Sequence, residues 1–432
     1  MMKRSLSIIA FVMFFGAVAF GQSWTYQGKF NTNTLKTISG IQYIVVAPDG
    51  KVWTSPYQTP NDSVWVPDSS KYKKVHGIYI FNADGTPFDT IKAIQVGTTF
   101  MPMYGSGYGL ALDNDGNILV SKYGNLYRIN YQTRQGMAIY ANPYAGNSMV
   151  APAASSNGNV YIAQVAGGAP IKILNYDFSF NANAVDTLTD FGRYMAVSSD
   201  GNTIYAPRYS ANKTIRFIRP DEFSPFVKDE ILVGAAIESG VWDNVDPTKI
   251  WFSLGNFTTP PNGNFAGTEN KWMMFDTTNF ASHDTLSWVF TVANSPDERP
   301  RGIAFSATGD AYVVAFGADR DTLIEKFHNP AHIPTSVIKE NNNVVANYNL
   351  SQNYPNPFNP STKINFSVKS AGNVSLVVYN MLGQVVETLV NRSMAAGNYT
   401  ATFDASKLSS GIYIYQLNAG NTKISKKMTL MK

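Results

Sequence analysis

The chain has 432 residues, and it contains no cysteine and only four histidines. These counts exclude disulfides, thiol nucleophiles, iron–sulfur clusters and cysteine-type zinc sites. Charge is unevenly divided: residues 350–432 carry a net charge of +6, whereas residues 22–349 hold 24 basic and 28 acidic side chains. The larger part of the chain therefore lacks the basic surface that a nucleic-acid-binding function requires.

The first 21 residues have the composition of a secretory signal peptide. Lys3 and Arg4 precede an apolar stretch, and Ala19 and Gly21 supply small residues at a cleavage site. The apolar stretch is shorter than the span of about 20 residues that crosses a bilayer, and no later transmembrane segment is predicted. We therefore expect a signal peptide at 1–21 and a mature chain that begins at Gln22.

One pattern recurs six times between residues 22 and 330: an apolar run, a polar turn and a second apolar run. The turn position falls at residues 50, 116, 158, 201, 248 and 309, and all of these but Thr248 are glycine. Asp-Gly and Asn-Gly favour hairpin turns, and a further strand-like run follows most copies. A repeat of about 40–50 residues with about four strands is typical of a β-propeller. The sequence therefore predicts an all-β fold with a six-bladed β-propeller at 22–330, whose last blade is completed by residues 24–30.

The segment that runs from Pro300 to Val313 resembles a blade of the NHL and gluconolactonase-like propellers. The resemblance implies the propeller fold and, as in gluconolactonase-like members, one divalent metal at the axis, where it would activate water or polarise a lactone carbonyl. Residues just before each inner strand would line the mouth of the axial channel. In this sequence they include Tyr108, Asn147, Arg193, Glu238, Glu298 and Arg301.

The channel-mouth residues support two interpretations. Glu238, Glu298 and Asn147 are of the residue types that bind a hard cation, so they would be the ligands of a divalent metal. Arg193 and Arg301 would disfavour a cation, and the same residues could instead form salt bridges between blades. A metal-dependent, lactonase-like hydrolase is therefore the second hypothesis and not the first.

Two insertions between the repeats are predicted to be loops that project from the ring. The first, residues 48–82, contains Trp65, Tyr72 and the lysines 71, 73 and 74, and the second covers residues 255–270. Loops on a rigid scaffold often carry binding functions. The alternative is that both are solvated insertions without a role.

Residues 331–349 are polar and are predicted to be a linker to a second domain at 350–432. Short alternating strands there predict a small, immunoglobulin-like antiparallel sandwich. This segment resembles the type A sorting domain of the type IX secretion system, on motifs at 354–360, 379–384 and 408–413 and at the final lysine. The resemblance implies a sorting signal that the translocon recognises, with the residues Tyr354, Pro355, Asn356, Pro357, Phe358, Asn359, Pro360, Gly383, Gly411 and Lys432. A generic carbohydrate-binding or adhesive sandwich is the alternative.

Hydrolase, zincin, Walker and Rossmann motifs are all missing from the sequence. The sequence therefore favours a secreted or cell-surface protein, exported through the periplasm, that recognises an extracellular polysaccharide or protein without catalysis. No cofactor is expected beyond the divalent metal of the hydrolase hypothesis. A structural surface-layer protein is a third hypothesis, and self-assembly of the mature chain would distinguish it.

Overall fold

The structure is a computed structural model. It describes residues 24–30, 35, 40–57, 62–122, 124–141, 148–165, 168–188, 192–208, 211–255, 261–289, 298–317, 324–332, 337–341, 347–369, 372–394, 397–420 and 422–432. The predicted signal peptide at 1–21 lies outside these residues. Within them, no helix is long and apolar enough to cross a membrane.

Six antiparallel sheets of four strands each follow one another along the first part of the chain, which confirms the six-bladed propeller. The first three blades, with their strands from the inside outward, are Ile41–Val46, Val52–Pro56, Ile78–Phe81 and Pro87–Ile91; Gly107–Leu112, Ile118–Lys122, Asn125–Ile129 and Gly136–Ala141; and Ala153–Ala154, Val160–Ile162, Ala169–Leu174 and Phe180–Leu188. The other three are Ala196–Val197, Thr203–Arg208, Lys213–Ile218 and Val227–Ile231; Ile237–Trp242, Lys249–Leu254, Lys271–Asp276 and Ser282–Ser287; and Arg299–Phe305, Asp310–Phe316, Ile324–His328 and Thr25–Lys29.

The turns that join the first and second strands explain the recurring sequence pattern. In blade 2, Asp113 Oδ1 accepts the backbone N–H groups of Asp115 and Asn117, and Gly116 has a φ of +80°. A side-chain oxygen thus replaces a backbone acceptor, while glycine supplies the left-handed conformation that other residues adopt at a cost. In the degenerate copy, Asp246 Oδ1 accepts the N–H of Thr248, and a non-glycine residue closes the turn.

The N-terminal strand closes the ring, as the sequence predicts. Thr25–Lys29 pairs antiparallel with Ile324–His328 and so becomes the outer strand of blade 6. Trp24, just before it, is buried, and its indole N–H donates to Asp284 Oδ2 in blade 5 at 2.8 Å. Blade 6 therefore combines the first strand of the propeller with its last three strands, and this pairing closes the ring.

Neighbouring inner strands approach each other closely at the axis. A Cβ atom on Gly302 of blade 6 would lie 3.0 Å from Cα of Tyr43 of blade 1, and one on Gly109 of blade 2 would lie 2.2 Å from Cα of Ala151. Larger side chains fill the space between blades farther out, where Trp53, Trp251 and Trp272 are fully buried. Small residues near the axis and aromatic ones outside it fit the tapered shape of a blade.

The insertion in blade 1 has regular structure, whereas the sequence predicts a loop. Asp62–Val66 and Lys71–Val75 pair as a two-stranded antiparallel hairpin, joined by a 3₁₀ turn at Pro67–Ser69. A second hairpin, Ala93–Val96 with Thr99–Pro102, follows blade 1. The β-branched residues that alternate in the first hairpin were the available sequence signal. In the other predicted loop, the described residues include a 3₁₀ turn at Gly263–Phe265.

The C-terminal region forms two four-stranded antiparallel sheets that enclose their own apolar core. One contains Val337–Asn341, Gly397–Asp404, Ser361–Val368 and Asn349–Leu350, and the other contains Val385–Met394, Gly372–Tyr379, Gly411–Ala419 and Thr422–Leu430. The strand Val337–Asn341 and the first residue of Asn349–Leu350 lie in the segment 331–349, for which the sequence predicts a linker. These residues pair through their backbones with Gly397–Asp404 and Ser361–Val368 and so join the first sheet.

Candidate binding site at the propeller axis

Three of the predicted channel-mouth residues come together at the start of the inner strands. Glu238 of blade 5 lies between two arginines: its Oε1 is 2.7 Å from Arg301 Nη1, and its Oε2 is 3.0 Å from Arg193 Nη1. Arg301 is the third residue of the inner strand of blade 6, and Arg193 precedes the inner strand of blade 4. One carboxylate thus connects three consecutive blades.

Tyr43 of blade 1 reaches the same place from the opposite side of the ring. Its hydroxyl donates a hydrogen bond to the backbone carbonyl of Arg193 at 2.8 Å, and its ring stacks on Tyr194 with 6.2 Å between centroids. Blades 1 and 4 face each other in a six-bladed ring, so this bond spans the axis. The buried side chain of Tyr43 therefore occupies the axis at this depth.

The cluster of Arg193, Glu238 and Arg301 carries two guanidinium groups and one carboxylate. Arg301 and Glu238 are buried, whereas the side chain of Arg193 keeps 33% of its surface exposed. Burial raises the pKa of the Tyr43 hydroxyl well above its usual value, against the opposing effect of the two arginines, so tyrosine stays neutral here. Arg193 is therefore the member of the cluster that reaches solvent, and its guanidinium group is cationic.

Glu298 makes a different set of contacts. Its Oε2 accepts the indole N–H of Trp288 at 2.5 Å, and it lies near Glu325, whose pKa burial raises to about 8 with a further contribution from the charge of Glu298. Glu325 Oε2 accepts the backbone N–H of Val289 at 3.0 Å. Glu298 and Glu325 are therefore two buried carboxyl groups, associated with blade 6, whose charges influence each other.

The remaining two channel-mouth residues give no side-chain geometry. Tyr108 lies in the inner strand Gly107–Leu112, but its side chain is not among those described, and Asn147 lies outside the described residues. Among the residues that the structure does describe, no three His, Asp or Glu side chains come together as metal ligands. Both oxygens of Glu238 face guanidinium groups. This set of donors does not fit a divalent cation.

One buried lysine was missed by the sequence analysis. Lys122, at the end of the second strand of blade 2, donates from Nζ to Ser55 Oγ and to the carbonyl of His76, both at 2.8 Å. Burial lowers the pKa of its ammonium group to about 7. The contacts tie blade 2 to blade 1. Nothing in the local sequence separates Lys122 from an exposed lysine at the end of a strand.

The predicted sorting residues of the C-terminal region gather at one end of the sandwich. Phe358 is buried and bonds through its backbone to Thr429 and Met431, which flank Leu430 of the last strand. Lys432 donates from Nζ to the carbonyl of Ser406 at 2.6 Å, and Gly411 pairs with Leu430. Gly383, with a φ of +77°, lies in the turn after Tyr379, at the same end of the sheet, because Tyr379 pairs with Ile414 near the start of the strand that begins at Gly411. The segment 354–360, the C-terminus and the turn that contains Gly383 thus lie at the same end of the sandwich.

Comparison with solved structures gives propeller matches of low sequence identity. Regucalcin, a calcium-binding protein from Agrobacterium tumefaciens, is 12% identical over 70% of this chain and 93% of its own, with a TM-score of 0.47. Virginiamycin B lyase from Staphylococcus aureus is 12% identical over 71% and 99%, with a TM-score of 0.41. Raptor from Chaetomium thermophilum is 13% identical over 71% and 29%, with a TM-score of 0.46.

No curated protein matches the chain. One family model matches, the "Secretion system C-terminal sorting domain", at residues 352–431. The match includes the motifs at 354–360, 379–384 and 408–413, and it covers most of the two-sheet sandwich. Residues 352–431 are therefore a sorting domain of the type IX secretion system, which directs the chain to the cell surface or the extracellular space.

Proposed function

We propose that this protein is an exported recognition module, whose propeller binds an extracellular polysaccharide or protein without catalysis. The single observation that carries the proposal is the arrangement at the axis. Glu238, the carboxylate best placed for chemistry there, is bonded to both Arg193 and Arg301, and Tyr43 fills the space beside them. A metal-dependent hydrolase needs carboxylate oxygens that are available to bind its metal, whereas both oxygens of Glu238 face arginines.

The exposed part of the axial cluster supports binding of an anionic or strongly polar group. Arg193 is anchored through one nitrogen to Glu238 and keeps a third of its side-chain surface exposed. A guanidinium group held in place by a buried carboxylate is a ready partner for a carboxylate or phosphate, because little side-chain entropy remains to be lost. We infer that Arg193 makes the axial contact to the ligand.

Export supports an extracellular ligand. The sorting domain brings the protein into contact with the type IX secretion machinery and places it outside the cell or on its surface. We infer that the propeller is the functional cargo, since the sorting domain accounts for the C-terminal region alone. Ligands in this location are polysaccharides, surface proteins and small solutes.

The experiment uses the chain from Gln22 to Lys432 and compares binding with catalysis. Metal content after dialysis and hydrolysis of an aldonolactone are measured beside retention on a panel of acidic and neutral polysaccharides. The proposal expects retention that Arg193→Ala weakens, with no metal and no turnover. One tightly held divalent cation per chain, together with lactone hydrolysis that Glu238→Gln abolishes, would overturn it and establish the hydrolase.

A further inference from the structure

A second surface on the propeller has the features of a sugar-binding platform. It is the outward face of the blade 1 hairpin, formed by Ser63, Trp65, Tyr72 and Lys74. Side chains alternate across a strand, and the pairing places Ser63 opposite Lys74 and Trp65 opposite Tyr72. We name these four residues the hairpin platform.

Both aromatic rings of the platform are exposed to solvent. Trp65 retains 47% and Tyr72 retains 72% of its accessible surface, although residues of this kind are normally buried. Their rings are 5.4 Å apart at an angle of 68°. This pair of crossed rings forms a corner in which the C–H faces of a pyranose ring can pack, while Ser63 offers a hydroxyl beside it.

The hairpin is fixed at its base, so the aromatic pair is held in place. Val66 and Val75 are buried on the opposite face of the hairpin. Asp62, at the start of the hairpin, accepts from the hydroxyl of Tyr79 at 2.5 Å and forms an ion pair with Lys92 at 2.8 Å. A platform ordered before binding loses less entropy when a ligand arrives.

The charge around the platform is positive. The hairpin carries Lys71, Lys73 and Lys74 against Asp62 and Asp68, and Asp62 is already paired with Lys92. The ion pairs found among the described residues do not include Lys74. Residues 22–349 as a whole are net acidic, so this local excess of positive charge is a property of the hairpin.

We infer that the hairpin platform binds an acidic polysaccharide, with sugar rings against Trp65 and Tyr72 and a uronate carboxylate on Lys74. This inference rests on the proposed recognition function and adds a ligand class and a second contact site, away from the axis. The size of the platform favours a polysaccharide over a protein. A protein partner needs about 800 Å² of surface per side, whereas a sugar chain needs only a few ring-sized contacts. The four side chains of the hairpin platform are enough for the few ring-sized contacts of a sugar chain.

The test is affinity electrophoresis and calorimetry of the 22–432 chain with polygalacturonate, and with dextran as the uncharged comparison. Polygalacturonate is expected to retard the protein, more strongly at low salt. The double variant W65A/Y72A is expected to weaken binding about tenfold or more, as loss of aromatic anchors does at other interfaces. Lys74→Glu should weaken binding to polygalacturonate and reduce its salt dependence. Phe223→Ala is the matched control, since Phe223 is 90% exposed on blade 4 and should leave binding unchanged.

The possible results separate this inference from the proposed function. Polygalacturonate binding that survives both W65A/Y72A and Lys74→Glu, in variants whose thermal unfolding is unchanged, overturns the platform but keeps the recognition function. Equal binding of dextran and polygalacturonate overturns the acidic ligand class. Binding of neither polymer overturns the inference, and bound metal with lactone turnover then overturns the proposed function as well. A purified surface protein that binds the platform in place of both polymers would show that the aromatic pair is a protein contact.

Discussion

The hydroxyl of Tyr43 donates to the carbonyl oxygen of Arg193 across the propeller axis, at a distance of 2.8 Å. The two residues are 150 positions apart and belong to blades 1 and 4, which lie on opposite sides of the ring. The carbonyl also accepts the backbone N–H of Ala151 at 3.4 Å, so three blades meet at one oxygen. Hydrogen bonds at the axis thus connect blades that are far apart in sequence. Arg193 is fixed both through its backbone carbonyl and through the ion pair of its side chain with Glu238.

Removal of the Tyr43 hydroxyl tests that connection. Tyr43→Phe keeps the ring and its stacking on Tyr194 but deletes the hydrogen bond to Arg193. We expect the free energy of unfolding to fall by about 1 kcal/mol, the usual contribution of one such bond. Urea unfolding of Y43F measures the loss, and Tyr72→Phe on the exposed hairpin is the control that should change little. Equal stability of Y43F and the parent would show that the bond across the axis contributes nothing.

Glu238→Gln tests the role of the buried carboxylate between two arginines. The variant keeps the shape of the side chain but removes the charge that Arg301, itself buried, faces at 2.7 Å. Loss of one partner of a buried ion pair typically costs about 3–5 kcal/mol. Glu230→Gln is the control, because Glu230 pairs with Lys213 at 2.6 Å but is half exposed, and pairs of that kind contribute about 0–1 kcal/mol.

The double variant E238M/R301M completes this test. If the cost of Glu238→Gln arises from an uncompensated charge on Arg301, removal of both charges should restore a large part of the lost stability. Chemical unfolding of the two variants and the parent gives the comparison. A double variant as unstable as Glu238→Gln would instead assign the cost to packing.

The sequence predicts the blades well because each blade is a local unit. Turn residues such as Gly116, together with alternating apolar runs, determine hairpins within about 40 residues, and the closing strand follows from the need to cover an edge. The axial cluster could be predicted in part, because Arg193, Glu238 and Arg301 all lie just before their inner strands or in the first three residues of them. Its pairing could not, since whether a carboxylate faces a metal or a guanidinium depends on blades that are far apart in sequence. Lys122 and Tyr43 show the same limit: their contacts lie 67 and 150 residues away.

Trp24 provides a test of ring closure. Its indole N–H bonds to Asp284 in blade 5, and its ring is 4.8 Å from that of His332, just beyond the last blade. Trp24→Ala leaves a large cavity at the point where the first and last segments meet, and changes of this kind cost about 3–5 kcal/mol. We expect a lower thermal midpoint and earlier proteolysis of the N-terminal strand. Trp65→Ala, an equally large deletion on the exposed hairpin, should leave both unchanged.

Glu325 gives a pH-dependent prediction with a definite sign. Burial raises its pKa from 4.5 to about 8 in the folded protein, so between these values the folded state holds a proton that the unfolded state releases. This group therefore stabilises the fold fully below about pH 4.5, and its contribution decreases by up to about 1.4 kcal/mol per pH unit until about pH 8. Glutamine imitates the protonated carboxyl and does not titrate. We expect Glu325→Gln to gain stability relative to the parent as the pH rises through that interval and to level off above it.

Urea unfolding of Glu325→Gln and the parent at intervals across that pH range measures the difference. Glu230→Gln, at a half-exposed site, is the control and should show no comparable trend. A constant difference between Glu325→Gln and the parent at every pH would mean that Glu325 ionises at its ordinary pKa.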